Sequence, residues 1–414
     1  MPNSALQHRT VRTLASAQVL SGVGVAGTVA AGSLLVSSIT DSETLAGLAQ
    51  TSAVLGAAAL ALPLARLTGR GGRRLALSVG YTAGAIGSVF AILGGAQRNI
   101  FLMLLGTFLV GAASAAGYQA RFAAIDLATD QTRAKQLSFV VWGSTIGAVT
   151  GPNLMQPAGN LAENFGLPRL VGPYLISAVT LALATLVIFL FLKPDPYLVA
   201  NKERITTREK GSTKRALAHI RSNPSALFAI LSIAIGHVAM VSVMVMTPVH
   251  MAHVDVTLTI IGLVISVHVL GMYAFSPIVG ALSDRLGRVR VIQIGIAILL
   301  LSTVVSGIAS ADDAYTLGVG LFLLGLGWSC TLIAGSAYLS ESVDPTFKAD
   351  SQGASDLVMN LAGAGGGALA GVIIGTLSYG WLCFAAAVPA LALGVMSLKF
   401  KSIPQPSGDS NLYL

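Results

Sequence analysis

The sequence predicts an all-α polytopic membrane protein: twelve transmembrane helices in two pseudo-symmetric six-helix bundles. Three observations carry that expectation. Hydrophobic residues make up 54% of the 414 positions and charged residues only 10%, in charge-poor runs well past the roughly 18–20 residues that span a hydrocarbon core. A single long polar segment, Lys193 to Ser222, parts these runs six and six. The stretch "SVHVLGMYAFSPIVGALSDRLGRVRV" after that segment parallels "SAVLGAAALALPLARLTGRGGRRL" before it. Only helices or closed barrels satisfy the backbone in lipid, and the roughly 10-residue alternation of a barrel strand is absent.

The expected helices follow in order. Arg9 and Arg12 ahead of an apolar run resemble a signal peptide, but that run, about 27 residues, is too long for a cleaved one. It is read as the first helix, 12–39. The next five are 43–65, 75–95, 100–126, 136–159 and 170–192, closing an N-terminal bundle over 1–192. The cytoplasmic linker 193–222 contains Pro194, Pro196 and eight Lys/Arg. Asn223-Pro224 suits the start of the seventh helix, 223–249. Helices at 256–282, 289–309, 314–339, 350–376 and 380–398 complete a C-terminal bundle over 223–399, with a cytoplasmic tail at 400–414.

Orientation comes from the basic residues. With both termini in the cytoplasm, inner loops and tails hold 22 of the 25 Lys/Arg, as the positive-inside rule expects. The net charge of +8 is thereby a topology signal, and a nucleic-acid partner is excluded in favour of the lipid bilayer. Cys330 and Cys383 both fall inside helices and form no disulfide framework. No ATP-binding or catalytic motif is present, so the chain is not read as an enzyme.

Gly280, Asp284, Arg285, Gly287 and Arg288 form a G-x-x-x-D-R-x-G-R loop after the eighth helix. Together with the paired halves and long central loop, this resembles the major facilitator superfamily over essentially the whole chain. The resemblance implies alternating access by rocking of two halves, with the loop latching an inner gate; the same loop also serves as a positive-inside anchor. In the first half the acid is missing: Ala65 precedes Arg66, and one residue reads as inserted before Gly69. "GAVTGP", Gly147 to Pro152, resembles the kink of drug–proton antiporters, although small-xxx-small spacing is also ordinary helix packing. The arginine those antiporters carry in the fourth helix is absent around Thr107 to Gly111. Arg121 and Asp126 in the fourth helix, with Asp356 in the eleventh, are the remaining intramembrane charges. They are read as inner-gate pairs, Arg121 with Asp126 or with Asp356, or as proton carriers.

The sharpest chemistry lies at "HVAMVSVMVMTPVHMAH", residues 237–253. Five of nine internal methionines and four of six histidines fall between 237 and 272. His237, Met240, Met244 and Met251 make one stripe of a helix. His268 and Met272 are one turn apart on the returning helix, at about the same depth as Met240. Two adjacent antiparallel helices would bring M-x-x-x-M and H-x-x-x-M together near the membrane middle, where such carriers bind cargo. Thioether sulfur selects Cu(I) and imidazole also suits copper. Neutral ligands avoid burying carboxylates or thiolates. His250, Met251 and His253 at the outer mouth would collect the ion. Methionines are also gap-fillers of apolar cores, yet Ala53 and Ala57 occupy the positions of His268 and Met272 in the first half, which a general packing need does not explain.

Met240-x-x-x-Met244 followed by His268-x-x-x-Met272 resembles the CcoA-type copper importers of bacteria. That resemblance implies a multi-pass inner-membrane importer with these four residues carrying copper as transported substrate; His237, on the same stripe, is read beside them as a fifth ligand. It also implies supply to cbb3-type cytochrome c oxidase, contact with copper chaperones on either side, no cofactor, and function as a monomer. Relatives of the same fold are linked to riboflavin, so an organic-solute carrier, for riboflavin import or drug–proton antiport, stands beside it. In that case Trp142, Trp328 and Tyr273 would stack a flat ring. A non-transporting receptor has no obvious use for an inner gate.

Overall fold

In a computed structural model, residues 2–41, 45, 47–202, 212–252, 254, 256 and 258–400 are described. They fold into helices and turns throughout. The N-terminal set is α1 (Pro2–Thr40), α2 (Leu48–Ala96), α3 (Ile100–Ala123), α4 (Arg133–Asn153), α5 (Met155–Asn164) and α6 (Gly172–Phe191). Two short helices, α7 (Pro196–Ala200) and α8 (Ser212–Ser222), lie in the linker. The C-terminal set is α9 (Pro224–Ala252), α10 (Leu258–Tyr273), α11 (Ser276–Leu286), α12 (Arg288–Ile308), α13 (Ala314–Ser342), α14 (Lys348–Thr376) and α15 (Tyr379–Ser397).

Ten helical stretches among the described residues are long and apolar enough to cross a membrane. One of them, α2, turns back on itself at Gly72 (φ 85°) and supplies two passes. The broken pair α4–α5 supplies another, giving the twelve crossings expected. The protein is an all-α, multi-pass membrane protein. Its outward faces carry large bare hydrophobics such as Phe101, Leu263 and Val179, which only a hydrocarbon solvent accommodates in such number.

Local sequence explains the element ends. Asn99 Oδ1 accepts from the N–H groups of Phe101 and Leu102 and starts α3. Asn223 Oδ1 does the same for Ser225 and Ala226 at 3.1 Å, with Pro224 at the first helical position of α9. "GAVTGP" acts as packing: Gly147 and Gly151 of α4 meet Gly22 and Gly27 of α1 backbone to backbone. The helix then breaks at Leu154.

The two halves repeat each other in detail. Gly72 (φ 85°) and Gly287 (φ 92°) make the same left-handed turn, which a side chain would strain. Aligning them requires no insertion, correcting the expectation of an extra residue before Gly69. Ala65 corresponds to Gly280, Arg70 to Arg285 and Arg73 to Arg288. The acid's place is Gly69, opposite Asp284. The same register pairs Ala53 with His268 and Ala57 with Met272. Packing agrees: a Cβ at Gly111 would strike the backbone of Ala53 and Ala57, and one at Gly325 the backbone of His268 and Met272.

Candidate functional site: a methionine–histidine cluster behind a closed gate

Met240, Met251, Met272 and Met359 are buried in one apolar cluster with Leu321, Leu324 and Trp328 of α13, and Met244 and Met246 pack against it half-buried. The expected direct pairing of the two methionine-bearing helices is not how they meet. α10 packs chiefly on α13, and α9 on α13 and α14, with slight contact between α9 and α10. The two motifs share a cluster because both helices lean on α13.

His268 is fully buried, and its Nδ1 lies 2.8 Å from the carbonyl oxygen of Leu321. A carbonyl can only accept, so Nδ1 carries the proton and Nε2 presents a lone pair. That Nε2 is buried without a hydrogen-bond partner. His237 is different: its Nδ1 accepts from Trp328 Nε1 at 3.1 Å, so its proton sits on Nε2 and neither nitrogen offers a free lone pair. Burial against Gly363 of α14 further holds the ring in place. In this arrangement His237 orients Trp328 and does not serve as a fifth ligand. Met359 of α14, missed by the sequence reading, adds another buried thioether to the cluster; nothing in its local sequence singles it out.

The outer-mouth residues divide. His250 stacks on Tyr379 with ring centroids 4.3 Å apart. Met251 is fully buried rather than presented to an incoming ion, because α9 continues inward-packed to its last turn. His253 lies outside the described residues. Among the described residues, no group of three or more His, Cys, Asp or Glu is placed to hold a metal ion. Any metal held here relies on thioethers.

A second constellation closes the end of the molecule where α1 begins, α15 ends and α7 and α8 lie, here the basic end. Arg121 of α3 pairs with Asp356 of α14, with 2% and 0% of their side chains exposed. Gln119 Nε2 donates to the same carboxylate at 3.1 Å, and Arg121 Nε to Ser336 Oγ at 3.1 Å. Asp126 takes Arg73 instead of Arg121, at 2.8 Å. Arg73 in turn donates to Gln352 across the halves at 2.6 Å. Asp284 accepts from the backbone N–H groups of Ala134 (3.0 Å) and Lys135 (2.8 Å), capping the first turn of α4 from the other half. Arg288 braces it, bonding Asp284, Glu341 and the carbonyl of Asp130. Gly280 lies where a Cβ would meet Ser138 and Ala134, so only glycine lets α11 approach α4 this closely. Gly287 makes the turn described above. Arg285 is exposed and stands outside the latch. Arg73, Gln352 and Glu341 were not foreseen; the repeat register, which sets Arg73 opposite Arg288, is the signal that finds the first of them.

Two small cavities lie in the N-terminal bundle on the side facing Asn360 and Tyr273 of the other half, sharing Val25, Ser114 and Tyr118. One of 210 Å³ adds Gln18, Ser21, Ser144 and Tyr273. Tyr273 meets Trp328 edge-on at 5.7 Å. Trp142 is 40% exposed on the outer surface and lines neither.

Residues 14–255 and 238–412 match the Major Facilitator Superfamily. The chain belongs to the major facilitator superfamily. It is a secondary transporter in a membrane. This facilitator is 36% identical over 91% of its length to the uncharacterized MFS-type transporter YdeG of Bacillus subtilis (strain 168), covering 88% of that protein. It is 26% identical over 97% of its length to the riboflavin transporter RfnT of Brucella anthropi, covering 98% of it. The E. coli fucose:proton symporter FucP shares its fold at a TM-score of 0.71 and 17% identity, over 94% of this chain and 97% of that one.

Proposed function

We propose that this facilitator imports copper, with Met240, Met244, His268 and Met272 as transient ligands. The observation that carries the reading is the state of His268. Metal-ligating histidines characteristically donate one ring N–H to a carbonyl while the other nitrogen faces the metal, and His268 has its Nδ1 bound to Leu321 and a buried, unpartnered Nε2. Leu321, the residue that His268 is bonded to, belongs to the methionine cluster, whose thioethers are soft donors suited to Cu(I). By the positive-inside rule the basic end faces the cytoplasm, with both termini on the cytoplasmic side of a bacterial inner membrane. With that end latched, copper enters from the opposite face; release follows when Arg121–Asp356 and the Asp284 cap part. Supply to cbb3-type oxidase, chaperones on either side and a monomeric working unit belong to the same reading.

The test is copper uptake by mass spectrometry in cells expressing the protein at matched levels with its His268→Leu and Met240→Leu variants. The reading expects uptake several-fold above empty-vector cells, lost in both variants. Uptake equal to empty vector sinks it. A second reading, import of riboflavin or a similar flat solute, has its own support in the RfnT relationship and in the uncharged cavity bounded by Gln18, Ser144, Tyr118 and Tyr273. Labelled-riboflavin uptake that survives His268→Leu would favour it.

A further inference from the structure

A groove of 630 Å³ runs between the second arm of α2 and α6, apart from the methionine cluster, with its head next in the chain to Arg73 of the gate. Its walls are Leu75, Val79, Ile86 and Leu198. At its head stand Arg74 and the Asp195 carboxylate, with Lys193 flanking them through the Phe189 ring. Arg74 lies over the Phe189 ring at 4.4 Å and donates from Nε to the Phe189 carbonyl at 2.9 Å. Lys193 Nζ lies 5.6 Å from the same ring. Among the described residues neither forms an ion pair: the nearby Asp195 carboxylate is occupied by the N–H groups of Arg74, Tyr197 and Leu198. One turn below Arg74, Ser78 lines the groove, is 8% exposed, and its Oγ is buried without a partner. A further turn down, Thr82 and Thr185 face each other at 3.4 Å.

We propose that this groove binds one anionic phospholipid, its phosphate between Arg74 and Lys193 and an acyl chain along the apolar wall. Length fits: Arg74 to Ile86 spans about 18 Å along the helix, close to one leaflet of a roughly 30 Å core. Chemistry fits at each level. Unpaired cations meet the phosphate at the basic end. Ser78 donates about 6 Å deeper, where the ester carbonyls of the glycerol lie, and aliphatic side chains follow. The bound lipid joins the second arm of α2 and α6 to the linker through Asp195 and α7, so its occupancy braces the N-terminal bundle.

The experiment is native mass spectrometry of the full-length protein in detergent, titrated with phosphatidylglycerol and with phosphatidylcholine of the same chains. The proposal expects phosphatidylglycerol to be retained at least fivefold more than phosphatidylcholine. Lys193→Gln and Arg74→Gln together should abolish that preference, whereas Arg74→Lys keeps most of it. Thr82→Trp, filling the groove, should weaken retention of both lipids. Equal retention of the two lipids by the native protein overturns the proposal. So does a preference unchanged in the double glutamine variant, or displacement by inorganic phosphate at equal concentration, which would make the site one for anions alone. Lys193→Gln alone, at an exposed side chain, guards against misfolding of the double variant and should lower the preference by itself.

Discussion

Replacing Asp356 with alanine removes the acceptor of a buried guanidinium. Arg121 and Asp356 belong to different halves, are almost wholly enclosed, and share their surroundings with Gln119 and Ser336. Breaking such a pair by deleting one partner costs about 3–5 kcal/mol, because the remaining charge is left uncompensated in a low-dielectric interior. That cost falls on the state with the basic end closed. When the halves part, Arg121 faces a water-filled cleft and regains hydration. A bias of about 3 kcal/mol corresponds to more than 100-fold in the ratio of closed to open forms. Spin labels at Arg70→Cys and Arg285→Cys, both exposed on the basic end, report that ratio by their separation; the native cysteines are buried. Asp356→Ala should move most of the population to the longer separation. Arg121→Gln with Asp356→Asn, which removes both charges, should recover much of the short one. An unchanged distribution in Asp356→Ala refutes the argument, as does a double variant as open as the single.

Asp284→Asn should lower the melting temperature in detergent by weakening the α4 cap and the Arg288 brace, a cost of about 1–2 kcal/mol, while Arg285→Gln at an exposed side chain should change stability by no more than ~0.5 kcal/mol. Gly353→Leu places a side chain against Ala65; it should hold the basic end open by the same spin-label readout and halt turnover without loss of folded protein. Gly72→Ala puts a side chain on a residue at φ 85° beside the Asp195 carboxylate, and should cost at least about 1–2 kcal/mol of stability, seen as a lower thermal midpoint.

The site was legible in parts whose limits are physical. That Met240 and Met244 share one helix face, and His268 and Met272 another, could be read from spacing, because one helical turn puts residues four apart on one face; that α13 stands between the two helices could not. The partner of His268 could not: a backbone carbonyl on α13 has no side-chain signature. The same holds for His237, whose ring is committed by a tryptophan 91 residues away. Spacing left Arg121 to pair with Asp126 or with Asp356; the fold took the second and gave Asp126 to Arg73. Met251, periodic with the stripe, is buried by its neighbours.

The sequence by itself determined the solvent, the number of crossings, the division into halves and the motif glycines. Those are properties of composition and local period, and each helix satisfies its own backbone whatever surrounds it. Tertiary structure decided the rest: which charges meet across the halves, which end is shut, and which imidazole nitrogen is left bare. Such choices depend on contacts between residues hundreds of positions apart, where burial turns an unmade hydrogen bond into kilocalories.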